Sequence, residues 1–261
     1  MYKIKEFLDV LENFAPLKLS KIMIDAGNYD NSGIIINHHE KVEKVLFSLD
    51  LTVNAVNEAI KLDCDTIVTH HPAIYNPIKS LDVSGESRAV LMAATNGINV
   101  ISMHLNLDVA DSGIDECLSQ GLGVNTARIL DFIDEKHGYG RETEIPPVSV
   151  SEFIESVKQT FDTDKVLFYG DGVVNKIASF CGGGASHAAD AVVKNLTDAD
   201  TIVTSDMPHH VLLSLLERGK KVMILPHYVA ENYGFNKFYE RVTDITKGNV
   251  DAYYFTDKRF M

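Results

Sequence analysis

Ten histidines stand in this 261-residue chain, and six of them fall in three adjacent pairs. His70-His71 closes an apolar run, DTIVTH, and precedes Pro72. Imidazole is the commonest metal ligand near neutral pH, so a pair that terminates a buried strand reads as metal ligands, with a polar loop as the alternative. Adjacent strand residues point to opposite faces, so both rings reach one site only where the chain turns, and Pro72 favours a turn there. A second cluster, His104-Leu105-Asn106-Leu107-Asp108, ends another apolar run; its alternative is a capping segment in which Asn106 and Asp108 satisfy helix amides. The third is His227-Tyr228-Val229-Ala230-Glu231. If a helix starts near Pro226, the i, i+4 spacing puts His227 and Glu231 on one face, as a metal needs, although any surface helix can hold such a pair.

The remaining histidines divide. His38-His39, in NHHEKVEK, reads as a solvated loop, and His137 sits in a Gly-rich stretch that carries little information. His209-His210 begins a helix after Ser205-Asp206, where Asp206 is either a site carboxylate or an acid beside the helix dipole. The turn Cys181-Gly182-Gly183-Gly184 could cradle an anion on backbone amides, but it matches neither the Walker pattern nor G-x-G-x-x-G and reads as a close-packed turn.

These residues hang on alternating β-rich runs and helix-period segments, the pattern of an α/β protein with a largely parallel sheet. The expected strands are 44–50, 65–70, 98–104, 165–170, 176–182, 200–205 and 221–226. Expected helices cover Thr52 to Leu62, with Thr52 as N-cap, Ser84 to Asn96, ending at Gly97, and 185–196 and 209–218. The Gly-, Pro- and charge-rich tract 134–147 reads as a lobe boundary or a loop between edge strands, and the division is placed near residue 125. Asp65-Thr66-Ile67-Val68-Thr69 recurs letter for letter as Asp200-Thr201-Ile202-Val203-Thr204, with the same order of elements around each copy. An ancient duplication is the reading, and it brings polar side chains to the carboxyl ends of strands, where open α/β sheets carry their sites.

Composition narrows the classes. Lys and Arg number 24 against 37 Asp and Glu, a net charge of −13, which argues against a nucleic-acid partner. With 45% hydrophobic and 23% charged residues the chain is ordinary globular material. Three cysteines without a C-x-x-C pair support neither a disulfide framework nor a zinc ribbon and fit a reducing cytosol. No run of 18 apolar residues occurs, so the expectation is a cytoplasmic protein without a membrane span.

Taken together, Asn28-Tyr29-Asp30-Asn31-Ser32-Gly33, Thr69-His70-His71-Pro72, His104 through Asp108, Gly138-Tyr139-Gly140-Arg141, the Gly182 turn, Thr204-Ser205-Asp206 with His209-His210, and His227 through Glu231 resemble, in order, the GTP cyclohydrolase 1 type 2-like (NIF-three-like) family. The resemblance implies two pseudo-repeated α/β lobes, expected at 1–125 and 126–261 with no inserted third domain, the second completing a shared site with its C-terminal segment. It implies a toroidal homohexamer and a dinuclear centre of two divalent ions per subunit, held by His70, His71, Asp108, His227 and Glu231. His104, Asp206 and His210 would lie close by as supporting or catalytic groups.

Histidine and carboxylate ligands suit Zn, Mn, Fe, Co or Ni, and five side chains leave positions open for water. The expectation is a metal-dependent hydrolase that opens the guanine imidazole ring of GTP or acts on a related nucleotide, with His104 or His210 shuttling protons and Arg141 and the Gly182 turn holding phosphate. Two rivals remain at this point: a non-catalytic metal-binding scaffold or regulatory adaptor, and a two-metal phosphoesterase of the D-H-H type, against which Thr69 stands where that motif needs an acid.

Overall fold

A computed structural model describes residues 1–123 and 127–261. The chain divides into two compact units, Met1–Ala110 with Phe235–Lys258, and Asp111–Gly234 with Arg259–Met261. The boundary expected near residue 125 falls outside the described residues. The observed division comes earlier, and the C-terminal segment 235–258 returns to the first unit.

The first unit runs β1 (Tyr2–Lys3), α1 (Ile4–Glu12), α2 (Leu17–Asp25), β2 (Gly33–Ile36), β3 (Lys41–Val42), β4 (Lys44–Ser48), α3 (Val53–Lys61), β5 (Thr66–Thr69), α4 (Arg88–Thr95), β6 (Asn99–Ser102) and α5 (Leu105–Val109). The second runs α6 (Ile114–Gly121), β7 (Arg128–Phe132), β8 (Gly138–Ser149), α7 (Val150–Phe161), β9 (Leu167–Tyr169), β10 (Val173–Ser179), α8 (Ala185–Val193), β11 (Thr201–Thr204), α9 (His209–Glu217) and β12 (Lys221–Ile224). Helix α10 (His227–Thr246) starts in the second unit and ends in the first, which β13 (Asp251–Phe255) then completes.

β1 and β3 form a small antiparallel sheet, and the two large sheets are mixed. The first is ordered β13-β4-β5-β6-β2, with β13, β4, β5 and β6 parallel and β2 antiparallel at the edge. Its strands are apolar on both faces because both are covered: Leu46, Ile67 and Val100 pack with Val56, Ala59 and Ala93 from α3 and α4, while Phe47 meets Phe235 and Phe238 of α10. Thr52 caps α3 by accepting the Ala55 amide at 3.1 Å, and Gly97 ends the following helix at φ +74°, both as their residue types predict.

The second sheet is ordered β7-β8-β10-β11-β12-β9; β10, β11 and β12 form a parallel core flanked by antiparallel strands. The tract 134–147, expected to be a boundary or loop, instead contributes most of β8, a twelve-residue strand. Its prolines are tolerated because Pro146 and Pro147 fall where the register against β10 shifts, between Val174 and Lys176, so no ladder bond is asked of them. Helix α6 packs against β8, β10 and α7, which is why residues 111–121 belong here rather than with the first unit.

The repeated pentapeptide does the same work twice. Asp65 Oδ2 accepts the amides of Glu43 and Lys44 at 2.7 and 3.0 Å, and Asp200 Oδ2 those of Asn175 and Lys176 at 3.1 and 2.8 Å. Each carboxylate also accepts from the following threonine hydroxyl. The aspartate thus fastens the preceding parallel strand to its own, and both copies sit in a β-α-β-α-β run, β4 to β6 and β10 to β12. Among the described residues no helix is long and apolar enough to cross a membrane, and the three cysteines are buried.

Replacing Asp65 or Asp200 by alanine should lower stability by about 1–3 kcal/mol in urea titrations, the loss expected when a charged acceptor of two amides is removed. For Asp200, burial raises the carboxyl pKa, but bonds from Thr201, Lys221 and the Lys176 amide outweigh it and hold the group below the usual range. Its contribution is therefore complete above the unfolded value near pH 4 and is lost as the pH falls through the lower folded value. The stability gap between wild type and Asp200→Asn should close on acidification; a gap that widened would show that Asp200 is not held ionised.

Candidate functional site

In the first unit the polar groups gather just past the ends of β5 and β6. The amides of His70 and His71 both donate to the Leu49 carbonyl, at 3.1 and 3.0 Å, so the chain turns at once after β5 and the two rings are not thrown to opposite faces. Thr69 Oγ1 donates to the His71 carbonyl at 2.8 Å and secures that turn. The ring centroids lie 4.9 Å apart, and the His104 ring, just after β6, stands 5.3 Å from His70 and 5.8 Å from His71. One ligand-capable atom from each of the three lies within 4.8 Å of the others.

Each ring is held from behind. His70 Nδ1 donates to the Met103 carbonyl at 2.9 Å, His71 Nδ1 to Asp50 at 2.7 Å and His104 Nδ1 to Asp30 at 2.7 Å. A carbonyl or carboxylate only accepts, so in the neutral ring the proton sits on Nδ1 and the lone pair on Nε2, the arrangement that metal-binding histidines use. Burial works to raise the Asp30 pKa, but hydrogen bonds from His104, Ser20 and Ser32 prevail and hold it below its ordinary value, keeping the acceptor charged.

Asp108, on α5, is buried and places Oδ1 3.4 Å from His70 Nε2. Two electron-pair donors facing each other suit a shared cation: ligand atoms about 2.1 Å from a tetrahedral ion lie about 3.4 Å from one another. The capping alternative for this segment is not what the chain does, since Asn106 donates to the Ala15 carbonyl at 2.6 Å and Asp108 faces His70. His104, expected as a neighbour of the ligands, is one of the ligand-capable rings by position.

In the second unit, α10 begins at His227, as the spacing required, and His227 Nε2 lies 2.9 Å from Glu231 Oε2. Glu231 is 2% exposed. Asp206, after β11, accepts from His227 Nδ1 at 2.6 Å, so it holds the ring in the same way that Asp50 and Asp30 hold theirs. The Gly182 turn makes room for this pair: at φ +56°, a Cβ on Gly182 would run into Glu231 Oε1 and lie 3.5 Å from His227 Nε2. The close-packed reading of the turn therefore holds, with the site carboxylate as the group packed against it.

His210 lies exposed on the first turn of α9, and among the described residues no hydrogen bond or ion pair joins it to Asp206, His227 or Glu231. The phosphate role expected of Arg141 fails here. Arg141 is 4% exposed and committed to Asp115 at 3.0 Å and to the carbonyls of Gly138 and Gly140, so it is not presented to a phosphate. Asp115 in turn accepts the Cys181 amide at 3.2 Å, so the pair braces the glycine turn from below. Asp50 and Asp30 escaped the sequence reading. Their signal was weak: Asp50 is a strand-terminal acid like many others, and Asp30 stands in the Asn28–Gly33 segment, where nothing in the spacing points to His104.

Comparison with known proteins gives one consistent result. The profile of the Duf34/NIF3 (NGG1p interacting factor 3) family matches residues 2–258. A "GTP cyclohydrolase 1 type 2 homolog" from Clostridium perfringens is 28% identical over 256 residues, covering 95% of this chain and 94% of that protein. A "Protein NIF3 homolog" from Schizosaccharomyces pombe is 28% identical over 220 residues, 77% of each chain. Among solved structures, a Staphylococcus aureus hypothetical protein superposes with TM-score 0.84 at 25% identity, covering 98% of this chain and 97% of that one.

Gly182→Ala should cost about 1–3 kcal/mol, the usual penalty for overpacking, whereas Gly183→Ala, whose Cβ would meet nothing within 4 Å, serves as the matched control. Equal denaturation midpoints for the two variants would show that Glu231 yields without cost.

Proposed function

The chain belongs to the Duf34/NIF3 family, and from that membership we propose that it is a metal-dependent hydrolase of nucleotides or related small molecules, with the guanine imidazole ring of GTP as the first bond to test. The observation that carries this reading is the set of His70, His71 and His104 rings, each with Nδ1 tied to an acceptor and together close enough to hold a metal ion. In this reading His70, His71 and Asp108 of the first unit and His227 and Glu231 of the second hold two divalent ions per subunit, drawn from Zn, Fe, Mn, Co and Ni. Ions held there supply Lewis acidity, activating water and polarising the bond under attack.

The chain's own residues supply orientation and proton handling. Asp50 and Asp206 fix His71 and His227 in the tautomer that offers Nε2, and the Met103 carbonyl does so for His70. His104 presents Nε2 as a proton acceptor beside them while its Nδ1 proton stays with Asp30. Asp206 is thus a positioning residue. His210, exposed on α9, receives no role from its surroundings. The toroidal homohexamer and a cytoplasmic location belong to the same proposal.

Elemental analysis of the purified protein should find about two ions per subunit, and His71→Ala, Asp108→Ala and Glu231→Ala should each release metal while keeping the fold by circular dichroism. Less than about one ion per subunit, or metal retained in all three variants, overturns the site. Asp50→Asn and Asp206→Asn should weaken binding of added Zn²⁺ or Mn²⁺ by about 10- to 100-fold in calorimetric titration, the usual effect of removing a histidine's anchoring carboxylate. Full occupancy with no turnover of GTP, other nucleotides or phosphodiesters would instead favour a metal-binding scaffold.

A further inference from the structure

Beside the three-histidine group of the first unit stand two tyrosines with no part in the roles above. Tyr29 is 46% and Tyr75 48% exposed. Their rings meet edge to face, with centroids 4.9 Å apart at 63°, and Tyr75 stands 6.2 Å from the His104 ring at 86°. A single exposed aromatic is ordinary, but two in contact, half-uncovered and adjoining a polar site are the composition of a ligand-binding wall.

Their placement is rigidly coupled to the histidines. Asp30, the neighbour of Tyr29, accepts from His104 Nδ1 at 2.7 Å, and Ser32 Oγ accepts the His104 amide at 3.0 Å. Asn31 Nδ2 donates to the Ile74 carbonyl at 2.7 Å and so binds this loop to the residue before Tyr75. Four consecutive residues, Tyr29 to Ser32, therefore connect both tyrosines to His104, and a group gripped by the rings is held in a set position relative to the imidazoles.

We propose that Tyr29 and Tyr75 are specificity-determining residues that grip a flat heteroaromatic ring of the substrate, a purine base above all, stacked on one tyrosine and met by the edge of the other. The inference rests on the small-molecule hydrolase reading and names the part of the substrate that is recognised. Two rings set face to edge offer a flat π-system both stacking and edge contact, whereas an aliphatic chain gains only area at this polar rim. The two rings grip the base and make no demand on a phosphate.

The test is calorimetric titration of the protein as purified, and after loading with Mn²⁺ or Zn²⁺, with guanosine, adenosine, GTP and inorganic triphosphate. Tyr29→Ala and Tyr75→Ala should each weaken nucleoside and nucleotide binding by about 5- to 150-fold, the range for loss of one base-stacking ring, and leave inorganic triphosphate unaffected. Tyr29→Phe and Tyr75→Phe should stay within about twofold of wild type, because they keep the ring. Metal content, measured on the same samples, should not change in any of the four. Alanine variants that bind nucleosides as tightly as wild type overturn the inference, as does a fully metal-loaded wild type that binds no nucleoside. Nucleoside binding that is lost in the alanine variants of a protein unable to hold metal would instead overturn the hydrolase reading and leave the tyrosine grip standing.

Discussion

An imidazole near the end of a strand has two nitrogens and can offer only one of them, and the choice is made by what stands behind the ring. For His70, His71, His104 and His227 it is made the same way, by an acceptor on Nδ1: the Met103 carbonyl, Asp50, Asp30 and Asp206. Much of the architecture serves that constraint. In the first unit, β4, β5 and β6 lie parallel and side by side, so Asp50, the His70-His71 turn and the Met103-His104 step emerge from adjacent strands at one end of the sheet. A carboxylate anchor must stay ionised to do this, and Asp30 does so against its burial by collecting three hydrogen bonds.

The two copies of D-T-I-V-T show what a duplicated frame keeps and what it releases. The aspartate at the start of each copy still ties down the preceding strand through two amides. Past the last threonine the copies part. In the first unit the chain continues as His70-His71-Pro72 and supplies rings; in the second it continues as Ser205-Asp206-Met207-Pro208 and supplies the acceptor for a ring brought by α10. The strand is kept for its pairing chemistry, and the residues beyond its end vary with the task.

Most of the strands and the histidine clusters were legible because they are local: β-rich apolar runs, a Thr cap, a glycine after a helix, polar groups at strand ends. The anchors were not, since Asp30 and His104 are 74 residues apart and Asp50 and His71 21 apart, and an acid in a loop looks the same whether or not a ring leans on it. Arg141 shows the opposite error. A basic residue beside a glycine turn suggests phosphate, yet its charge is consumed by Asp115, which the spacing does not reveal. The β8 tract read as a lobe boundary or a loop between edge strands because it is rich in Gly, Pro and charge, and only the register shift opposite Pro146 and Pro147 shows how a strand accommodates the prolines.

The path of α10 has a consequence for how the chain comes into being. Phe235 and Phe238 lie in the core of the first unit, and β13 pairs along the whole of β4. Both follow Asp111–Gly234, the main part of the second unit, in sequence. During synthesis the N-terminal sheet therefore emerges with an open β4 edge and an uncovered Phe47, and it cannot close until residue 255 has left the ribosome. The second unit, by contrast, has every strand of its sheet by Ile224. The order in which the two sheets begin and the order in which they are completed are reversed, and the first-made sheet is the one that waits.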